Sequence, residues 1–280
     1  MSRVWLITGI SSGFGKAITE QLLEKGETVV GTVRTKKDDM KALEEKYPDN
    51  LDVEHLDVTN TQEIREVVNK TIQRYGKIDV LVNNAGYGLF GAAEELSDKD
   101  IDLIIATNLT GSIQMIRAVL PYMRAQKSGH IIQISSYGGQ VAYAGNSLYH
   151  ATKFGIEGFC ESVAQEIAPF NIKFSIIEPG GARTEFRYGS AHVANLMPEY
   201  DNTMAHAFLK MLDPENGLAP GDPNKMASRI IEVADKDATQ LHLVLGSQAL
   251  QATIDRLSER LNEYQGEKDV AKSTDIEEDK

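Results

Sequence analysis

Tyr149 and Lys153 stand four positions apart in the stretch SLYHATK, residues 147–153. On a helix this spacing places both side chains on one face, about 5–6 Å apart at Cβ. A phenol is a poor acid or base near neutrality because its ordinary pKa is about 10. Bringing it towards ~7 takes roughly 4 kcal/mol of preferential stabilisation of the phenolate, at 1.36 kcal/mol per unit. A lysine ammonium one turn away can supply part of this in a partly dry site. The pair reads as a proton-transfer couple. His150 is the conspicuous decoy: next to Tyr149 on a helix it projects about 100° away, and it reads as a bystander. Ser147 reads as a cap for free backbone N–H groups at the helix start. Cys160, among Phe159, Val163 and Ile167, reads as packing and not as a nucleophile.

A second chemical feature lies near the N-terminus. WLITGISSGFGKAI (residues 5–18) sets Gly9, Gly13 and Gly15 between an apolar run and a helical pattern. Glycines allow the tight strand-to-helix turn and let backbone N–H groups approach a pyrophosphate, whose charge a helix N-terminus favours. Ser11 and Ser12 add hydroxyl donors, and Phe14 lies inside the same loop. The spacing departs from G-x-G-x-x-G, and three glycines alone also fit a turn that holds no ligand.

The elements that must position these residues alternate along the chain. Short apolar, β-branched runs occur at 4–8, 28–33, 51–56, 80–83, 130–134, 173–178 and 241–245. Between them lie segments of helical period, such as Ile64, Val67, Val68, Thr71 and Ile72. Such alternation builds an α/β fold: one Rossmann-like, doubly wound parallel sheet of about seven strands with helices on both faces. The chain divides into a single nucleotide-binding domain over 1–265 and a polar tail over 266–280, expected to be disordered because it cannot bury enough apolar surface. Residues 185–223 show no strand pattern but carry Phe186, Tyr188, Met197, Met204, Phe208 and Met211. Following a strand end, they read as a lid over an apolar substrate.

Further polar and small residues fall at the predicted strand ends. Asp57 and Val58 follow the third strand, where a carboxylate can accept from an adenine amino group. NNAG (Asn83, Asn84, Ala85, Gly86) ends the fourth, Asn108 lies in the next helical segment, and Ser135–Ser136 end the fifth. PGGART (Pro179, Gly180 to Thr184) ends the sixth. Taken singly, Asp57 also fits a helix cap and the asparagines fit turns. Taken together and in this order, TGxxxGxG, NNAG, Asn, Ser, YxxxK and PGxxxT make the chain resemble the short-chain dehydrogenase/reductase family from Val4 to Thr184.

The resemblance implies that Tyr149 gives its proton to a carbonyl oxygen in reduction and removes a hydroxyl proton in oxidation. Lys153 would also bond the nicotinamide ribose, and Asn108 would hold a water in the proton relay. In the family the serine lies thirteen positions before the tyrosine, which selects Ser136 over Ser135. NNAGYGLFGAAEELS, TVR and the long segment after Thr184 resemble the hydroxysteroid-dehydrogenase-like branch. The short ending of family tetramers is replaced by a helix-patterned stretch, 247–264. A homodimer through the helices bearing Asn108 and Tyr149 is therefore the expectation, with a monomer as the alternative.

The second strand ends in VVGTVRTKK (residues 29–37). Val33 stands where an acid would read the ribose hydroxyls of NAD, and Arg34 follows, then Lys36 and Lys37. Arg34 can clamp a 2′-phosphate in bidentate fashion, so NADP(H) is expected over NAD(H). The whole reads as a carbonyl reductase or secondary-alcohol dehydrogenase; a dinucleotide-binding redox sensor without turnover is the alternative. A formal charge of −12 argues against nucleic acid. One cysteine leaves no metal cluster and no internal disulfide, and the sequence shows neither a signal pattern nor an unbroken apolar run of membrane length. A cytoplasmic location is expected.

Overall fold

A computed structural model describes residues 2–35, 38–189, 191–236 and 240–276. The strands are β1 (Val4–Thr8), β2 (Thr28–Val33), β3 (Leu51–His55), β4 (Val80–Asn83), β5 (Leu89–Phe90), β6 (Gly129–Ile134), β7 (Ile172–Pro179), β8 (His192–Val193) and β9 (His242–Leu245). The helices are α1 (Gly13–Glu24), α2 (Asp38–Lys46), α3 (Thr61–Tyr75), α4 (Asp98–Ile104), α5 (Ser112–Gln126), α6 (Ser147–Ile167), α7 (Glu185–Tyr188), α8 (Met204–Leu209), α9 (Pro223–Ala234), α10 (Ser247–Gly266) and α11 (Lys268–Lys272). Seven strands pair in parallel in the order β3-β2-β1-β4-β6-β7-β9. The β-branched runs of the sequence become these strands, and β1, β2 and β4 are buried along their whole length.

Alternate side chains feed two cores. Trp5 and Ile7 face Ile18 and Leu22 of α1 and Ile230 and Ile231 of α9. Leu6, Leu81 and Ile131 face Ile64 of α3, Met115 and Ile116 of α5, and Ile156 of α6. Each such side chain contributes about 1.5–3 kcal/mol by leaving water. The chain winds outward from β1 to β3, then returns to β4 and winds the other way. The carboxyl ends of β1 and β4 therefore diverge, and a cleft opens between their loops.

Two features depart from expectation, and a third is a long apolar helix. The 185–223 segment contains a strand after all: β8 pairs with β5, with His192 N donating to Gly88 O at 3.0 Å. Two-residue strands carry too little periodicity to be read from sequence. The polar tail begins not in disorder but in the end of α10 and in α11, whose side chains are exposed and whose bonds are local, such as Ala271 N to Glu267 O at 2.9 Å. Continuing a helix costs far less than nucleating one. Residues 277–280 of that tail lie outside the described residues. Finally, Asp98–Gln126 forms one helical run of 29 residues, long and apolar enough by composition to cross a membrane. Its Met115, Ile116 and Val119 are spent instead on the core under the sheet.

Candidate active site

The glycine loop is held open by backbone geometry. Gly9 and Gly13 lie at φ +74° and +57°, the left-handed region that other residues avoid. A Cβ on Gly15 would stand 2.2 Å from Gly9 O, so only glycine lets α1 approach the loop. Ser12, the residue before α1, makes no side-chain cap bond, and the first turn carries no acid. The free N–H groups of that turn are thus left for an anion. Thr184 faces the loop from across the cleft, its Cβ 3.7 Å from where a Cβ of Gly13 would be.

β4 locks this loop in place. Thr8 Oγ1 accepts from the backbone N–H groups of Asn84 and Ala85, both at 2.9 Å. Asn84 Nδ2 donates to Thr8 O at 2.9 Å and Gly9 O at 3.1 Å. Asn84 is therefore a brace whose amide is spent on the protein. Asn83 braces β6, donating to Gln133 Oε1 at 2.8 Å.

Beside the loop, Arg34 is exposed on the cleft edge, while Lys36 and Lys37 lie outside the described residues. Asp57 Oδ1 accepts from Thr59 N at 2.9 Å and Thr59 Oγ1 at 2.8 Å. Burial alone would raise the Asp57 pKa, but these bonds and the nearby Arg34 charge overcome it and hold the carboxylate below its ordinary value. Asp57 does not cap the next helix; Asn60 does, accepting from Gln62 N and Glu63 N at 3.0 and 3.3 Å.

The proton-transfer couple lies at the inner end of the cleft, on the first two turns of α6. Tyr149 is only 8% exposed. Burial pushes its phenol up to about 12, with a hydrogen bond from Ser136 pulling the other way. Burial thus outweighs the lowering expected from Lys153, whose ammonium is 5.6 Å from the Tyr149 ring centre. Lys153 Nζ donates to Ile134 O at 3.1 Å, and burial pulls its pKa down to about 8 against the charge of Glu157. Ser136 Oγ accepts from Gly138 N at 3.0 Å, which leaves its own hydrogen for Tyr149. Ser135 is the more buried neighbour, and its hydroxyl makes no hydrogen bond among the described residues.

His150 is no bystander. Its Nε2 accepts from Tyr143 N at 3.1 Å, so Nδ1 is the protonated nitrogen and donates to Gly138 O at 2.8 Å. Burial depresses its pKa and keeps the ring neutral in this role. It fastens the turn that carries Ser136. Ser147 is the first residue of α6, and Asn146 holds the cap position without a side-chain bond. Cys160 is fully buried, with its thiol pushed up by burial.

Asn108 does not line the cleft. It sits in a wide turn, Ile105–Gly111, between α4 and α5. Its amide clamps the Tyr87 backbone, accepting from Tyr87 N at 3.0 Å and donating to Tyr87 O at 2.8 Å. Gly15 is likewise behind the loop.

The cleft encloses about 470 Å³ and is lined by Gly9, Ser11, Ser12, Gly13, Phe14, Arg34, Asp57, Val58, Asn84, Ala85, Gly86, Ser136, Tyr149, Lys153, Pro179, Gly180 and Thr184, all expected from sequence. Of the six lid residues, Phe186, Phe208 and Met211 line it. Met204 is exposed, Met197 N donates to Glu95, and the Tyr188 hydroxyl accepts from Ala219 N. Phe90, Arg187 and His192 line the cleft without having been expected. Phe90 lies in the short strand that pairs with β8, and His192 lies in β8 itself, so both were hidden by the same missing signal. Tyr143 and Phe208 stack at 5.8 Å and 15°, Phe208 and Phe90 at 6.3 Å, and Phe186 stands 5.7 Å from the Tyr149 ring.

The short chain dehydrogenase family profile matches residues 3–192, more than half of the chain. The chain belongs to the short-chain dehydrogenase family. This short-chain dehydrogenase is 36% identical over 252 residues to the oxidoreductase BOA17 of Botryotinia fuckeliana, covering 90% of this chain and 91% of that one. Its fold matches a short-chain dehydrogenase from Streptomyces avermitilis with a TM-score of 0.91 at 38% identity, across 99% of this chain and 100% of the other. A serine dehydrogenase complexed with NADP+ matches with a TM-score of 0.74 at 30% identity, across 86% and 94% of the two chains. Membership makes the chain an oxidoreductase with a nicotinamide dinucleotide cofactor, and the uncapped α1 turn and paired glycine loop fit that cofactor's phosphates.

Proposed function

We propose that this short-chain dehydrogenase reduces the carbonyl of a bulky apolar ketone with NADPH, and in reverse oxidises the secondary alcohol. One observation carries the reading: a buried Tyr149 phenol, bonded by Ser136 and flanked by Lys153, faces an aromatic cleft. The phenol carries its proton at neutral pH, its transfer to the substrate oxygen requires the phenolate to be stabilised as it forms, and such general acid catalysis contributes about 10²–10⁴-fold. Ser136 orients the substrate oxygen towards Tyr149. Lys153 stabilises the phenolate left after transfer.

The dinucleotide, when bound, supplies or accepts the hydride. Ser11, Ser12 and Gly13 would hold its pyrophosphate, Asp57 and Val58 its adenine, Lys153 its nicotinamide ribose, and Pro179, Gly180 and Thr184 the nicotinamide end. Arg34, with no carboxylate on the end of β2, supports NADP(H) over NAD(H), and a structural relative carries NADP+. Phe90, Tyr143, Phe186 and Phe208 support a flat or bulky apolar substrate, since stacked rings reward area over hydrogen bonds. A binding-only sensor would need none of the groups around Tyr149.

Tyr149→Phe tests the reading. Ketone reduction followed by NADPH absorbance should fall at least about 100-fold, while NADPH binding by fluorescence stays intact. Unchanged turnover in this variant would refute the mechanism.

A further inference from the structure

We propose that His242, Glu178 and Glu157 form a buried charge relay that keeps Lys153 a cation, making His242 a positioning residue for proton transfer at Tyr149. The inference rests on the catalytic reading above. One turn beyond Lys153, the buried face of α6 presents Glu157, a carboxylate only 3% exposed. Glu178 of β7 is buried beside it. His242 of β9 joins the two: its Nδ1 donates to Glu178 Oε1 at 2.8 Å and stands 3.5 Å from Glu157 Oε2. Ligand atoms of all three groups lie within 4.8 Å of one another.

From the active site outward, the charges alternate: Lys153, Glu157, His242, Glu178. Two adjacent buried carboxylates cannot both stay ionised without a cation between them. The imidazolium of His242 fills that place, and its pKa is raised to about 10, first by Glu157, 3.5 Å away without a formed hydrogen bond, and then by the bond to Glu178. Burial first, and the Glu178 charge with it, raise the Glu157 pKa above its ordinary value, and the neighbouring His242 and Ser135 limit that rise without cancelling it. Glu157 in turn is the largest influence keeping Lys153 protonated against burial.

The groups that bear on this chain come from every neighbouring element. Lys153 meets Tyr149, Glu157 and Cys160 on its own helix and the Ile134 carbonyl from β6. Glu157 meets Ser135 after β6, Glu178 on β7 and His242 on β9. His242 also stands 3.6 Å from Glu161 Oε1, and Gln140 Nε2 donates to Glu178 Oε1 at 3.3 Å. At 36% side-chain exposure, His242 is the relay's contact with solvent.

The experiment measures pH–rate profiles of ketone reduction, with melting curves and NADPH titrations, on wild type, Tyr149→Phe, His242→Gln, His242→Arg and Glu178→Gln. Removing the imidazolium leaves one proton shared by the two carboxylates and weakens the counter-charge on Lys153. His242→Gln should therefore lower kcat about tenfold with KM retained, and move the alkaline limb to lower pH by about one unit. His242→Arg restores the cation and should return the limb to its wild-type place. Glu178→Gln relieves the repulsion on Glu157 and should move the limb the opposite way, to higher pH. This second direction keeps the test decisive if His242→Gln folds poorly. A limb unmoved by both substitutions, in a protein that Tyr149→Phe inactivates, overturns the relay but leaves the catalytic reading standing. Full turnover in Tyr149→Phe overturns both. Stoichiometric retention of Zn2+ or Mn2+ by wild type, lost in His242→Gln, overturns the imidazolium role in favour of a metal.

Discussion

Replacing Gly15 with alanine tests how the loop and α1 are built together. The added methyl would lie 2.2 Å from Gly9 O and 2.7 Å from Asn84 Nδ2. Favourable carbon–oxygen contacts begin at about 3.3 Å, so loop or helix must retreat by roughly 1 Å. That retreat breaks the two bonds Asn84 Nδ2 donates to Thr8 O and Gly9 O, at about 1 kcal/mol each. Overpacking adds about 1–3 kcal/mol, and the better helix propensity of alanine returns at most about 1 kcal/mol. The net loss is about 2–4 kcal/mol, or roughly 3–7 °C in melting temperature for a chain of this size. Because Gly9 and Gly13 move with the retreat, NADPH should bind at least about tenfold more weakly, a loss of one charge-assisted bond or more. Differential scanning calorimetry and a fluorescence titration read both quantities. Gly158→Ala, on exposed α6 surface with nothing within 4 Å, is the control; it should be neutral or up to about 1 kcal/mol more stable. A Gly15→Ala protein that melts and binds NADPH like wild type would show that the close approach does not govern the loop.

Other outcomes follow from single contacts. Arg34→Ala should lower kcat/KM with NADPH about tenfold, the low end for an exposed charge-assisted bond, and leave NADH unaffected; equal losses with both cofactors would remove Arg34 from phosphate recognition. Thr8→Val keeps the shape but strips the acceptor from two N–H groups, so a urea titration should show a loss of about 2–4 kcal/mol; a change below measurement error contradicts this accounting. The raised pKa of His242, about 10 against an ordinary 6.5, means its stabilisation is complete below the ordinary value and is lost as pH rises through the raised one. Because the ring is over a third exposed the effect is small, and it should appear as a decline in melting temperature across that window in wild type that His242→Gln does not show.

The sheet was legible because buried parallel strands are written in unbroken β-branched runs: the expected seven begin and end within a residue of β1–β4, β6, β7 and β9. Most cleft residues were legible because they stand at strand ends, where a change from apolar to small or polar types marks the turn, and Tyr149 and Lys153 because they stand one helical turn apart on α6. What escaped were roles set by distant partners. His150 was dismissed on its angle from Tyr149, which says nothing of the Gly138 carbonyl that it reaches. Asn84 and Asn108 carried the right spacing, yet their amides are spent on Gly9 and Tyr87. Tyr149 was expected to be acidified by Lys153 together with a cationic nicotinamide, and spacing cannot weigh Lys153 against the burial that in the protein alone raises the phenol. Glu157 and His242 lie 85 positions apart (242 − 157) and meet only when β9 joins the sheet.

The long segment over the cleft leaves and rejoins the fold at almost one point. Arg183 N donates to Gly221 O and Gly221 N to Gly181 O, both at 3.0 Å, and Ala182 and Gly221 form a parallel bridge. The described residues from 185 to 220 thus form a segment drawn shut at its neck. Asp222 caps α9 immediately after that neck, so a change in loop length need not disturb the helix or the sheet behind it. The neck makes the segment an exchangeable cassette. Lengthening, shortening or grafting it from a relative should alter which ketone is admitted while leaving the dinucleotide's seat untouched, so substrate range and cofactor use can diverge independently.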